Sequence, residues 1–217
     1  MKKILVFFIT LLSHAQVSYP IHPLPYYSQD GQDKFLHQTY FQNKKNGTFF
    51  EIGAHDGITR SNLYYFEKNL DWKGICVEPH PDRFIELKKN RNCICINGCI
   101  FNKIGAKNFL QINGYAEMLS GLTSAYDKKH QKRIDAEIKK FGGEKKTINV
   151  SAFTFNQLCK QYNLNHFDIV SIDVEGSEKI ILNSIDFNKI IIDFIIVENN
   201  YSDNDIRNFL IQKGYIF

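Results

Sequence analysis

Strand-length apolar runs alternate along this chain with segments whose apolar residues recur at helical spacing. The runs at 48–54, 74–78, 93–100, 167–174 and 190–198 read as core strands, and 61–70, 82–90, 154–162, 177–183 and 203–213 as the helices between them. Pro79 stops the second strand, Pro81 suits the first position of the next helix, and Gly214 suits the end of the last one. Two weaker strand patterns, 109–112 and 148–152, flank a different kind of sequence at 126–146, and residues 215–217 begin another strand. Regular alternation of this sort predicts a mostly parallel sheet with helices on both faces, a doubly wound α/β fold.

Two stretches depart from the alternation. Residues 126–146 carry Ile134, Ile138 and Phe141 at helical spacing, with basic residues on the remaining faces. The first reading is a solvated surface helix with one anchoring stripe; the sharper one is a lid that attracts an anionic acceptor. At the N-terminus, Lys2 and Lys3 precede an apolar run at 4–12, and Ser13 and Ala15 stand where a signal peptidase wants small residues. Residues 1–15 are therefore expected to be a secretory signal peptide, with a run too short to span a bilayer. The alternative is a cytoplasmic protein that begins with a short buried strand or helix. Residues 16–27, rich in proline, read as an extended linker, which leaves one domain at 28–217.

Charge and cysteines narrow the field. With 27 Lys and Arg against 23 Asp and Glu, the net charge of +4 is too small to imply a nucleic-acid partner. Five cysteines form no C-x-x-C pair, so zinc is not expected. In an oxidising compartment they would allow one bridge or two.

Polar residues interrupt four strands at their carboxyl ends, where ligands bind in open α/β sheets. The first interruption is E-I-G-A-H-D-G, with Glu51, Gly53, Ala54, His55 and Gly57. Its glycines let backbone approach a ligand closely, and Glu51 either braces the loop or faces a cationic ligand. Glu78 ends the second strand, 25 positions past Gly53, where an acid can accept both hydroxyls of a ribose. Asp173 and Glu175 close the fourth strand, and Glu198 with Asn199 the fifth. The loop spacing is not the G-x-G-x-x-G of dinucleotide sites, and no phosphate-binding P-loop exists. Acids around one cleft suit a nucleoside that carries positive charge and no phosphate, and S-adenosylmethionine has that chemistry. Asp173, Glu175 and Glu198 could together hold a divalent cation, but no His joins them at a recognised spacing, so no metal ligand is expected. The plainer readings make Glu51 and Glu78 braces for turn amides, His80 a turn filler and Trp72 a packing residue between the first helix and the sheet.

FFEIGAHDGITRSN, WKGICVEPHPDRF, the SGL at 120–122 and IVSIDVEGSEKIIL together resemble the FkbM family of S-adenosylmethionine-dependent methyltransferases. SQDGQDKFL at 28–36 is similar to the lead-in of a branch that includes Star-like proteins of the secretory pathway. The resemblance covers most of 28–200. It implies a class I, Rossmann-like methyltransferase sheet, here lacking its last strand or strands after Gly214. It also implies S-adenosylmethionine as cofactor, bound by Glu51, Gly53, Ala54, Gly57, Glu78 and Asp173, with the adenine near 97–99. The resemblance places Asp173 and Glu175 beside the transferred methyl group; being two apart, they are the candidate catalytic bases, with a turn brace as the plainer reading of Asp173. Glu198 and Asn199 are candidate substrate contacts, and His55 is a substrate contact, a base or a solvated bystander. The implied reaction is O-methylation of a hydroxyl on a glycan or small metabolite, with a catalytically silent binding protein of the secretory pathway as the alternative. The [DN]-P-P-[YFW] signature of base-modifying enzymes is missing, and no nucleic-acid partner is expected.

Overall fold

The computed structural model describes residues 3–8, 26–199 and 204–217. In chain order, β1 (Lys3–Phe8) is followed by α1 (Gln32–Leu36), β2 (Thr48–Ile52), α2 (Tyr64–Leu70), β3 (Lys73–Glu78) and α3 (Pro81–Asn90). Next come β4 (Ile94–Asn97), β5 (Cys99–Ile100), β6 (Gly105–Asn113), β7 (Gly121–Leu122), α4 (Lys128–Phe141) and β8 (Glu144–Phe153). The chain continues through α5 (Phe155–Gln161), β9 (His166–Ile172), α6 (Glu178–Ser184), β10 (Ile191–Glu198), α7 (Asn204–Gln212) and β11 (Tyr215–Ile216). The main sheet runs β11-β1-β10-β9-β2-β3-β4, and every neighbouring pair in it is parallel.

Side chains alternate across this sheet and bury two cores. Phe50, Ile52, Ile75, Val77, Val170 and Ile172 meet Phe155 and Leu158 of α5, Ile181 of α6 and Leu210 of α7. Phe49, Cys76, Ile169 and Phe194, one position out of phase, meet Leu36, Phe66 and Leu87 from α1, α2 and α3. Helices cover both faces, as the alternation requires. Trp72 packs against Phe66 of α2 and Phe41, its indole N–H donating to Lys44 O at 2.8 Å.

Two features depart from the sequence reading, and a third falls on an alternative it left open. The strand expected at 93–100 is two strands broken at Gly98, whose added Cβ would stand 2.5 Å from Ser151 O. There the chain leaves the main sheet for a second one, ordered β5-β8-β6-β7. Its centre is an antiparallel ladder of nine pairs, from Gly105↔Ala152 to Asn113↔Glu144. The short patterns at 109–112 and 148–152 are the buried stretches of these two longer strands, whose outer residues are exposed.

The third feature is β1. Its backbone lies between β10 and β11, with Ile4 opposite Phe194 and Lys3 opposite Tyr215. A strand at the chain start was the alternative to the leader; the expected cleavage site and most of the linker lie outside the described residues. A chain starting at Gln16 is expected to melt at least about 5 °C below the full chain, because β11 loses its neighbour. Thermal unfolding followed by circular dichroism compares the two, and equal midpoints would mean that the pairing contributes no stability.

Candidate active site

The carboxyl ends of β2, β3, β9 and β10 surround a cavity of about 210 Å³. The loop after β2 supplies Gly53, Ala54 and His55 to its wall. This loop is fixed by its neighbours: Gly53 and Ala54 N–H both donate to Val77 O, and Asp173 N–H donates to Ile52 O. Gly53 (φ +82°) sits so close to the end of β9 that a Cβ there would be 1.7 Å from Asp173 O. Glycine is needed at this position for backbone to pass backbone.

Glu51 braces the site. It is 3 % exposed; its Oε1 accepts from Ser61 Oγ (2.7 Å) and Asn62 N–H (3.2 Å), and its Oε2 meets the Arg91 guanidinium at 2.7 Å. Arg91, directly after α3, also pairs with Glu67 of α2, and its side chain is wholly buried. Glu51 lines the cavity and at the same time belongs to a buried ion cluster that ties the first loop to two helices. Gly57 corrects the sequence reading. It does not line the cavity, and its missing side chain makes room for Leu87 and Arg91, each 2.7 Å from where a Cβ would stand.

Glu78 is positioned from two directions. Its Oε2 accepts from His55 N–H (2.8 Å) and its Oε1 from His80 N–H (2.7 Å). A carboxylate offers about four acceptor sites, so this brace leaves capacity for a ligand in the cavity that Glu78 lines. Burial raises its pKa, while those two amides and the charges of His55 and Arg83 pull it back. His80 is more than a turn filler. It is buried in the cavity wall, its Nε2 lies 3.2 Å from Ile112 O, and its Nδ1 has no hydrogen-bond partner. Burial disfavours charge on the His55 ring, but Asp56, Glu78 and Glu117 around it raise its pKa above the usual value. Its Nε2 stands 3.3 Å from Glu117, so His55 suits the role of a cation better than that of a base.

Asp173, Glu175 and Glu198 converge at the next strand ends, with carboxylate oxygens within 4.8 Å of one another. Asp173 is solvent-accessible because it stands in the open cavity, yet protein surrounds it. Burial and then the Glu198 and Glu175 charges push its pKa well above the ordinary range, and Glu175 is raised likewise by burial, Glu198 and Glu178. Asn199 is buried and does not line the cavity, unlike its neighbour Glu198.

Several wall residues were given no site role from the sequence. Glu117, Ser177 and His80 are isolated polar residues whose place depends on how the chain folds back. The lead-in at 28–36 reaches the mouth with Gln29, Asp30 and Gln32, held by Asp33, whose Oδ2 accepts from Tyr27 N–H at 2.6 Å. The basic helix α4 also reaches the site. Its buried stripe is His130 and Ile134, Phe141 is exposed, Arg133 lines the cavity, and His130 Nδ1 lies 3.8 Å from Glu175. α4 is therefore part of the cavity wall as well as a solvated surface.

Among the described residues, no helix is long and apolar enough to cross a membrane. A sequence model of the methyltransferase FkbM domain matches residues 51–217. No curated protein and no solved structure matches the chain.

Proposed function

The chain belongs to the FkbM methyltransferase family, and from that premise we propose that it moves a methyl group from S-adenosylmethionine to a hydroxyl oxygen of a glycan or small metabolite. The observation that carries this reading is Glu78, a buried carboxylate oriented by two loop amides inside the cavity at the sheet's carboxyl rim. Its remaining lone pairs suit the two hydroxyls of a ribose. The unpaired Nδ1 of His80 and the wall at Gly98 and Cys99 suit a purine beside it. Asp173, whose backbone abuts Gly53, lines the same cavity, where a carboxylate favours a sulfonium. The residues present therefore fit the donor, which supplies an electrophilic methyl carbon when bound.

The chain's own part is to hold and to deprotonate. Aligning two reactants in one cavity removes most of the entropy cost of their meeting. Burial and the neighbouring acids raise the pKa of Asp173 and Glu175, which makes each carboxylate, when ionised, a stronger base toward the proton of the hydroxyl. Arg133 of α4 lines the cavity and offers a cation to the acceptor.

Calorimetry with S-adenosylhomocysteine on the full chain tests the donor site. Wild type is expected to bind, and Glu78→Ala to bind at least about tenfold more weakly, the effect of losing a charge-assisted pair of hydrogen bonds. Glu78→Gln, which still accepts from one amide, separates loss of the ligand contact from collapse of the loop. Equal affinity in all three proteins would remove the ribose assignment.

A further inference from the structure

We infer that Asp173, Glu175 and Glu198 hold a divalent cation, which binds the acceptor through two neighbouring oxygens, as in a vicinal diol or a hydroxy acid. The inference rests on the methyl-transfer reading for the use of the ion, and on the residues alone for its place. The three carboxylates stand at or just past the carboxyl ends of two adjacent parallel strands. Val197 pairs with Ile172, so Glu198 on β10 stands level with Asp173 just past β9, and Glu175 follows two residues later. Their ligand oxygens lie within 4.8 Å of one another. An oxygen shell at about 2.1–2.6 Å from an ion places its oxygens roughly 3–5 Å apart.

A second observation does not involve the acids. Ser177 occupies the N-cap position of α6 without capping it. It is 2 % exposed, it lines the same cavity, and its hydroxyl has no hydrogen-bond partner. Glu178 already accepts from the nearby Val174 and Gly176 N–H groups at 3.3 and 3.0 Å. A buried hydroxyl left unpaired in a cavity wall is costly, and a water on the ion, or the acceptor itself, satisfies it. Arg133 of α4 offsets part of the charge on Glu175, while burial lowers the pKa of the nearby His130; a divalent ion neutralises the rest.

Three carboxylates leave open positions on a six-coordinate ion, room for two acceptor oxygens. Coordination lowers the pKa of a bound hydroxyl, whose proton then leaves to water in the cavity. Asp173 and Glu175 act through the ion in this arrangement, and the acceptor class follows from it. A lone hydroxyl on an apolar scaffold binds poorly, and a pair of adjacent oxygens binds well.

Mn²⁺ titration of EDTA-stripped full-length protein, followed by electron paramagnetic resonance of the free ion, tests the site. Wild type is expected to take up one Mn²⁺, with affinity falling at least tenfold in Glu198→Gln and in Glu175→Gln. His166→Ala controls for a second group, His166, Asp168 and Asp193, whose side chains also come together, and is expected to bind as wild type does. Circular dichroism confirms that each variant is folded. No uptake by wild type, or uptake unchanged in the folded Glu198→Gln and Glu175→Gln proteins, overturns the inference. S-adenosylhomocysteine binding by the stripped protein is measured in parallel. Its absence, with Mn²⁺ uptake intact, would sink the donor reading and leave the ion site standing.

Discussion

Gly53→Ala is expected to cost the protein about 2–5 kcal/mol of stability and to abolish S-adenosylhomocysteine binding. Two effects add. The residue has φ +82°, a conformation that costs an alanine roughly 1–2 kcal/mol. Its Cβ would also stand 1.7 Å from Asp173 O and 2.9 Å from Asp173 C, both backbone atoms with no rotamer to give. Overpacking of this kind typically costs about 1–3 kcal/mol more. Relief requires the β2 and β9 ends to part, and that separation moves the loop whose amide holds Glu78. Gly31→Ala is the control, because Gly31 has φ +80° and nothing within 4 Å of a Cβ. It should show the conformational cost alone. Urea unfolding of both proteins beside wild type separates the two effects, and similar losses in both would mean that the contact with Asp173 matters little.

Arg91→Met is expected to destabilise the chain by about 3–5 kcal/mol, the usual result of removing one partner from a buried ion cluster. Glu51 and Glu67 would remain desolvated on the α2 and α3 side of the sheet without their shared guanidinium. The triple variant Arg91→Met, Glu51→Gln, Glu67→Gln should recover most of the loss, since it leaves no buried charge behind. Urea midpoints of single and triple variants decide the matter. A single variant within about 0.5 kcal/mol of wild type, the range of an ordinary surface substitution, would mean that the cluster contributes little to stability.

The main sheet was legible because its strands are buried on both faces and therefore apolar nearly throughout, as in Phe167 to Ile172 and Ile192 to Val197. Their polar ends stood out against that background, which is why Glu78, Asp173, Glu175 and Glu198 could be named in advance. The second sheet was not legible in the same way. β8 buries one face weakly over half its length, and the lysines at its start continue the composition of α4. The break at Gly98 was hidden because 94–97 and 99–100 read as one apolar run, although they belong to different sheets. Glu51 and Gly57 were given ligand roles because a carboxylate and a glycine at a strand end look alike whether they meet a ligand or Arg91.

The amino-acid order by itself determined that helices cover a parallel sheet on both faces and that acids gather at its carboxyl rim, because apolar periodicity and strand ends are local properties of the chain. Tertiary structure alone decided that Glu51, while lining the cavity, also closes on buried Arg91. It also decided that His80, Glu117, Ser177 and the basic helix belong to the wall. Those assignments depend on contacts between residues tens of positions apart, whose distances are set by the packing of two sheets and not by any spacing along the sequence.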